Sequence, residues 1–204
     1  MMKVEKVSPK DKEAVVTVVD IHLQTFEGFF LTFMGRGFLT QLYRAYSEHP
    51  QSGLLVAREE SGEIAGFLAY SADLSDLYKT MIKKRLIPFA WYSLGAFLRK
   101  PGVFMRLVRA FLKPGESKRQ EAYVELASLG VRPDKKSQGI GGKLVDALKA
   151  EVDFSRYAYI ALETDARDNE GANRFYQKNG FRLARSYLSN KTREMNEYRY
   201  RDEV

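Results

Sequence analysis

Residues 122–152 read AYVELASLGVRPDKKSQGIGGKLVDALKAEV, and this stretch decides the fold. Ala122 to Val131 is rich in apolar residues, which predicts a central strand. Three glycines follow, Gly139, Gly141 and Gly142, and Ile140 to Val152 then has apolar residues at helical spacing. The start of a helix exposes backbone N–H groups and the positive end of the helix dipole. The turn therefore suits a bound phosphate.

The segments downstream of this turn repeat the alternation of strand and helix. Tyr157 to Thr164 predicts a buried strand, and Gly171 to Lys178 predicts a helix that ends at Asn179–Gly180. Two closing strands are predicted at Phe181–Leu188 and Met195–Arg201. Strand–helix–strand–helix order implies at least one parallel pair of strands with a right-handed crossover.

The segments upstream predict a strand, two helices and a hairpin. Met2 to Val7 predicts a first strand, and a helix is expected to begin with Ser8 as its cap and Pro9 at its first position. An irregular loop or short turn is expected at Phe26–Phe33, with a second helix around residues 38–49. A hairpin across residues 60–63 joins strands predicted at Leu54–Glu59 and Ile64–Ser71.

Composition narrows the class of protein. The 204 residues suffice for one core, so we expect a single α/β domain over residues 1–204. A hydrophobic content of 45% with 13% aromatic residues indicates a packed globular protein. The absence of cysteine excludes disulfides, thiolate metal sites and a cysteine nucleophile. Only His22 and His49 are present and they lie far apart in sequence, so we expect no metal site.

Charge and the N-terminus indicate compartment and partners. The net charge of +7 favours acidic partners such as coenzyme phosphates, nucleic acid or anionic lipid. The first residues lack the apolar run of a signal peptide, and no apolar segment reaches the length of a membrane span. These features and the lack of cysteine predict a cytoplasmic location.

A basic and aromatic segment at about residues 72–121 sets this chain apart. No acidic residue occurs between Asp76 and Glu116, and lysines and arginines there alternate with aromatic residues. We predict a helical insertion. It could be a helical pair packed over the core, a dimer contact, or a lid for an acidic or lipid-linked acceptor at an anionic membrane surface. Nucleic acid is a less favoured partner, because the charge is confined to one segment with an apolar face.

Residues 136–141, KSQGIG, resemble the acetyl-coenzyme A signature of the GCN5-related N-acetyltransferases, the GNAT superfamily. That signature has Gln or Arg, two free positions, Gly, any residue, then Gly or Ala. Lys136 departs from the first position, but its ammonium can still serve a phosphate. Asn169, Ala172, Tyr176 and Gly180–Phe181 resemble the family's second signature. The clear resemblance covers residues 122–182.

The resemblance implies the fold and the cofactor contacts. The fold would be a mixed twisted sheet with helices on both faces and two splayed central parallel strands. Acetyl-CoA would lie between those strands as cosubstrate, with its pyrophosphate on N–H groups of the turn. Gly139 and Gly141, lacking Cβ, would let the pyrophosphate approach the backbone. The implied cofactor-binding residues are Leu129, Val131, Lys136, Gln138, Gly139, Ile140, Gly141, Gly142 and Asn169.

The resemblance also implies two catalytic residues. Tyr176 matches the family's general acid, which protonates the departing thiolate, and Glu125 matches the position of a base for the amine. Strict alternation along the strand would place Glu125 on the same face as Ala127, Leu129 and Val131. Alternatively, Tyr176 could be a core tyrosine, Glu125 could face solvent, and Asn169 could fix the loop or only cap the helix.

The sequence thus predicts an acetyl-CoA-dependent N-acetyltransferase that acts on a primary amine. The competing hypothesis is a non-catalytic CoA-binding module whose basic insertion recognises an acidic or membrane-associated partner. The acceptor and the acyl chain length stay open, and so does the choice between monomer and homodimer.

Overall fold

The computed structural model describes residues 2–84, 121–189 and 193–202. It has seven strands, β1 Lys3–Lys6, β2 Ser52–Arg58, β3 Ile64–Ser71, β4 Tyr123–Val131, β5 Tyr159–Asp165, β6 Arg182–Ser189 and β7 Arg193–Tyr200. The helices are α1 Lys12–Thr25, α2 Phe30–Met34, α3 Arg36–Glu48, α4 over residues 74–84, α5 Ile140–Glu151 and α6 Glu170–Lys178, with a 3₁₀ turn at Pro133–Lys135. Residues 85–120, most of the predicted insertion, lie outside the described ranges.

All seven strands form one mixed sheet in the order β1-β2-β3-β4-β5-β7-β6. The predicted hairpin is confirmed as the antiparallel pair β2–β3. The predicted parallel pair is confirmed as β4–β5. Helices cover both faces of the sheet, as the resemblance implied, because each face of a buried sheet must pack against another apolar layer.

Two apolar clusters form the core, one on each face. The first cluster joins α1, α3 and α4 to one face and includes Val18, Leu39 and Phe67, each fully buried. The second cluster joins α5 to the other face through residues such as Leu144 and Ile160, which are also fully buried. We refer to the two faces of the sheet as the α1/α3 face and the α5 face, and to the second cluster as the α5 cluster.

Local details correct two expectations near the N-terminus. Asp11, not Ser8, caps α1, because its Oδ1 accepts a hydrogen bond from the backbone N–H of Ala14 at 2.9 Å. The backbone carbonyl of Ser8 instead accepts a hydrogen bond from the N–H of Asp11, which closes a turn before the helix. The stretch expected to be irregular contains a short helix, Phe30–Met34. Among the described residues, no helix has the length and apolar character to cross a bilayer.

A β-bulge in β4 overturns the expected alternation along that strand. Ala69 of β3 pairs with Ser128, but Tyr70 pairs with Leu126, so Ala127 is an extra residue on β4. Side chains after the bulge therefore change face. Leu129 and Val131 pack in the α5 cluster, and the expectation that Glu125 shares their face is wrong.

The position of Glu125 is shown by its effect on two tyrosines of the first cluster. Burial raises the pKa of Tyr78 to about 12, and the negative charge of Glu125 adds to that shift. The same charge adds to the raised pKa of Tyr46, which burial dominates. Tyr46 and Tyr78 both belong to the first apolar cluster, so Glu125 lies on the α1/α3 face.

The two central parallel strands pair over only a short length. The pairs are Tyr123–Tyr159, Val124–Ile160 and Glu125–Ala161. Beyond these, β4 continues to Val131 and β5 to Asp165 without pairing to each other. The implied splaying is confirmed, and it opens a gap in the sheet immediately after Glu125.

A buried histidine makes stability depend on pH. His22 is 2% exposed, and burial lowers its pKa from 6.5 to about 4. Between these values the unfolded chain binds a proton that the folded protein excludes. The free energy of unfolding should therefore fall by up to about 3 kcal/mol as the pH drops through this range.

Urea unfolding at several pH values between 4 and 7 would measure this effect. The His22→Asn variant lacks the titrating group, so its free energy of unfolding should lack this dependence on pH. The free energy of unfolding of the wild type minus that of the variant should therefore shrink as the pH falls. A constant difference across the range would show that His22 is not held neutral by burial.

Candidate functional site

The turn between β4 and α5 has a backbone shaped for an anion. Gly139 is the residue before the helix and has a left-handed conformation, with φ of 75°. Ser137 also has positive φ, at 65°. No side chain caps the helix, so its first N–H groups have no side-chain acceptor. These N–H groups, from Ile140, Gly141 and Gly142, are therefore available to a phosphate.

The space beside the turn differs between its glycines. A Cβ on Gly139 would meet no atom within 4 Å, so open space adjoins its backbone. A Cβ on Gly141 would lie 3.0 Å from the ring of Phe175 and 3.7 Å from Leu129 Cδ2. Gly141 therefore lets α5 pack closely against α6, and the expected role in phosphate approach fits Gly139 better.

The charges around the turn also favour an anion. The first turn of α5 contains no acidic residue, although acids are favoured there. Lys136 and Lys143 are exposed and make no ion pair within the ranges that the structure describes. Lys135 is engaged with Glu59 at 2.9 Å. Lys143 was not predicted from the sequence, although its place in the first turn of a helix without acids was a usable signal.

The other predicted cofactor residues border the turn and the gap. Gln138 is exposed on the turn, whereas the Ile140 side chain is buried in the second cluster, so only its backbone can face a ligand. Leu129 lies beneath Gly141. The Val131 carbonyl accepts a hydrogen bond from the Thr25 hydroxyl at 3.1 Å, which occupies one of its two lone pairs.

Tyr176 lies on α6 among aromatic rings. Its ring centroid is 5.2 Å from that of Phe175, 5.8 Å from Phe181 and 6.3 Å from Tyr198. Burial raises the pKa of Tyr176 to about 12, so the hydroxyl keeps its proton at neutral pH. In the described part of the chain its hydroxyl makes no hydrogen bond. None of the described residues therefore competes for the hydroxyl proton, and a role as general acid stays a prediction.

Asn169 fixes the loop before α6. Its Nδ2 donates to the Thr164 hydroxyl at 2.7 Å and to the Asp165 carbonyl at 3.4 Å. Asn173 extends this network by donating to the carbonyls of Asp165 and Asn169 and accepting from the Tyr198 hydroxyl at 2.9 Å. Asn169 precedes the helix but makes no side-chain capping bond. A contact to a cofactor stays a prediction.

Glu125 and Tyr176 lie on opposite faces of the sheet. Glu125 is on the α1/α3 face, where the Tyr123 hydroxyl donates to its Oε2 at 3.4 Å. Tyr176 packs against the α5 cluster. The gap between β4 and β5 lies next to Glu125, so a molecule in it can be approached from either face.

A family model described as the acetyltransferase (GNAT) family matches residues 18–181, which include the turn, the gap and both candidate catalytic residues. The chain belongs to the GNAT family. No curated protein sequence matches the chain at a significant level. Acetyl-CoA is the acyl donor that the family uses.

Solved GNAT structures resemble the whole chain. A histone acetyltransferase HPA2 and related acetyltransferase from Corynebacterium glutamicum has a TM-score of 0.62 and 18% identity, over 100% of this chain and 98% of that one. NAA60 from Arabidopsis thaliana, in complex with acetyl-CoA, has a TM-score of 0.58 and 16% identity, over 99% of each chain. Naa20 from Chaetomium thermophilum, in complex with a bisubstrate analogue, has a TM-score of 0.54 and 17% identity, over 98% of this chain and 86% of that one. At such identities the likeness shows the GNAT fold alone.

Proposed function

We propose that this GNAT protein transfers an acetyl group from acetyl-CoA to a primary amine of an acceptor. The observation that carries the proposal is the uncapped start of α5, with left-handed Gly139 beside open space, adjoining the gap between β4 and β5. A diphosphate fits the N–H groups of the turn together with Lys136 and Lys143. The unpaired strand edges beside it offer backbone groups to an extended arm.

The residues around the gap divide the proton transfers between them. Bound acetyl-CoA supplies an activated carbonyl carbon and a thiolate leaving group. Glu125 accepts a proton at a carboxylate oxygen from the attacking amine, directly or through water, because an ammonium has no free lone pair. As the N–C bond forms and the C–S bond breaks, Tyr176 gives its hydroxyl proton to the sulfur, and the second proton of the attacking nitrogen passes to the phenolate oxygen and restores the tyrosine. The products are an acetamide and a free thiol.

The Glu125→Gln substitution tests the base. We expect kcat/KM for the amine to fall roughly 10²–10³-fold at pH 7, because general-base catalysis is typically worth that much. The deficit should narrow towards pH 9, where more of the acceptor is already the free amine. Thiol release measured across this pH range would check both points.

Glu13→Gln is the matched control, because Glu13 is exposed on the outer side of α1, and it should retain wild-type turnover. A deficit of Glu125→Gln that stays constant with pH would contradict the base assignment.

The alternative is a non-catalytic CoA-binding module that uses its basic segment for a partner. Calorimetry with acetyl-CoA is expected to show one site under either hypothesis. Thiol release with a broad panel of amines separates them, because only an enzyme consumes the thioester. Sedimentation with anionic and neutral vesicles tests whether that partner is an anionic membrane. Equal binding to both kinds of vesicle would contradict this hypothesis.

A further inference from the structure

A chain of three polar side chains runs from α1 through α3 to β4. His22 Nδ1 lies 2.6 Å from the Tyr43 hydroxyl, and that hydroxyl lies 3.3 Å from Ser128 Oγ. His22 and Tyr43 are 2% and 1% exposed, so water does not serve them. Because buried polar groups are costly unless hydrogen-bonded, the direction of each bond in this chain matters.

The second ring nitrogen of His22 sets that direction. His22 Nε2 is buried without a hydrogen-bond partner in the described part of the protein, and the ring packs against Phe26 and Phe67. A buried N–H without a partner is rarer than a buried acceptor without one. We therefore assign the ring proton to Nδ1, which donates to the Tyr43 hydroxyl. Tyr43 then donates to Ser128 Oγ, and the Ser128 proton is left for another acceptor.

Ser128 lies beside both the bulge of β4 and the gap. It directly follows the bulge residue Ala127, and it lies in the part of β4 that no longer pairs with β5. On the α1/α3 face, Ser128 is the next side chain after Glu125, because the bulge removes Ala127 from the alternation. Ser128 is partly exposed, and within the described ranges its hydroxyl makes no hydrogen bond other than that with Tyr43.

We infer that Ser128 is a further catalytic residue of the acetyl transfer and that Tyr43 and His22 position its hydroxyl. The inference rests on the proposed function. The Ser128 O–H donates a hydrogen bond to the carbonyl oxygen of the acyl group, where negative charge grows as the amine nitrogen attacks. Ser128 keeps its proton throughout. Such donors are effective because they are oriented before the charge develops, and the buried chain behind Ser128 supplies that orientation.

Binding of two inert cofactor analogues tests the contact without any acceptor. One analogue replaces the sulfur of acetyl-CoA with methylene and keeps the carbonyl, whereas S-ethyl-CoA lacks the carbonyl. Ser128→Ala should weaken binding of the first analogue roughly five- to tenfold, as expected for one lost hydrogen bond, and leave the second unchanged. Ser52→Ala is the matched control. Ser52 lies on β2, which β3 separates from β4, and its hydroxyl is 2.9 Å from Nδ1 of a buried histidine, His49. This substitution should not change either affinity.

Kinetics with Tyr43→Phe tests the positioning role. We expect Ser128→Ala to lower kcat roughly 10–100-fold, Tyr43→Phe to lower it less, and the double variant to match Ser128→Ala, since Tyr43 acts through Ser128. Ser128→Thr, which keeps a hydroxyl, should recover most of the rate. Circular dichroism melts ensure that each variant is assayed while folded.

The outcomes separate this inference from the proposed function. If wild type binds both analogues and Ser128→Ala weakens neither selectively, the Ser128 role is overturned while the coenzyme site stands. Additive losses in the double variant would overturn the positioning role of Tyr43. If wild type binds neither analogue, both the proposed function and this inference fail.

Discussion

Tyr176→Phe should lower kcat roughly 10²–10³-fold while the affinity for acetyl-CoA changes less than about twofold. The substitution removes only the hydroxyl, which makes no hydrogen bond among the described residues, and keeps the ring between Phe175 and Phe181. Stability should therefore hardly change. Burial raises the pKa of Tyr176 to about 12, so the hydroxyl carries its proton at neutral pH. Phenylalanine cannot supply that proton.

Thiol release and calorimetry on the same preparation would measure the two quantities. Tyr157→Phe is a suitable control, because it removes a hydroxyl from a partly buried tyrosine that precedes β5, at the end of that strand away from the gap. Turnover by Tyr176→Phe at the wild-type rate would show that another group, or water, protonates the leaving thiolate. Loss of acetyl-CoA binding would instead assign Tyr176 to the binding site.

Gly139→Asp should weaken acetyl-CoA binding at least 100-fold. The new carboxylate would lie beside the N–H groups that a diphosphate needs, and the two anions would repel each other. The folding cost should be small. A Cβ there meets nothing within 4 Å, and aspartate tolerates a left-handed conformation better than most residues. The expected loss is therefore one of affinity rather than of stability.

Gly62→Asp makes the comparison strict. Gly62 has φ of 89° and open space around its missing Cβ, but it lies in the hairpin between β2 and β3. It carries the same backbone penalty without adjoining the turn. Calorimetry and melting curves should show similar stabilities for the two variants, with lost affinity only in Gly139→Asp. Retention of affinity within threefold by Gly139→Asp would remove the diphosphate from this turn.

Local patterns predicted the elements of this fold well. Apolar runs and glycines identified β4, α5, β5 and α6, because these signals act over a few neighbouring residues. The second GNAT signature supplied what the glycine turn alone could not, a defined place for Tyr176. The glycine turn at the start of α5 was therefore predictable as a candidate site, and the structure adds its open space and uncapped N–H groups.

Features that depend on distant contacts were not predictable. The bulge at Ala127 arises from register with β3, so counting alternate residues along β4 placed Glu125 on the wrong face. Gly141 resembled a phosphate-contacting residue, but its missing Cβ accommodates Phe175, which is remote in sequence. The chain from His22 to Ser128 spans three elements, and nothing local to any of them indicates it.

The short pairing of β4 with β5 has a consequence for how this protein responds to its cosubstrate. Three residue pairs join a four-stranded half to a three-stranded half, so the sheet carries an internal seam. A ligand that contacts both halves holds them together. At a free concentration of one hundred times its Kd, it would add about 2.7 kcal/mol to the free energy of unfolding. The abundance of the folded protein would thus follow the supply of coenzyme.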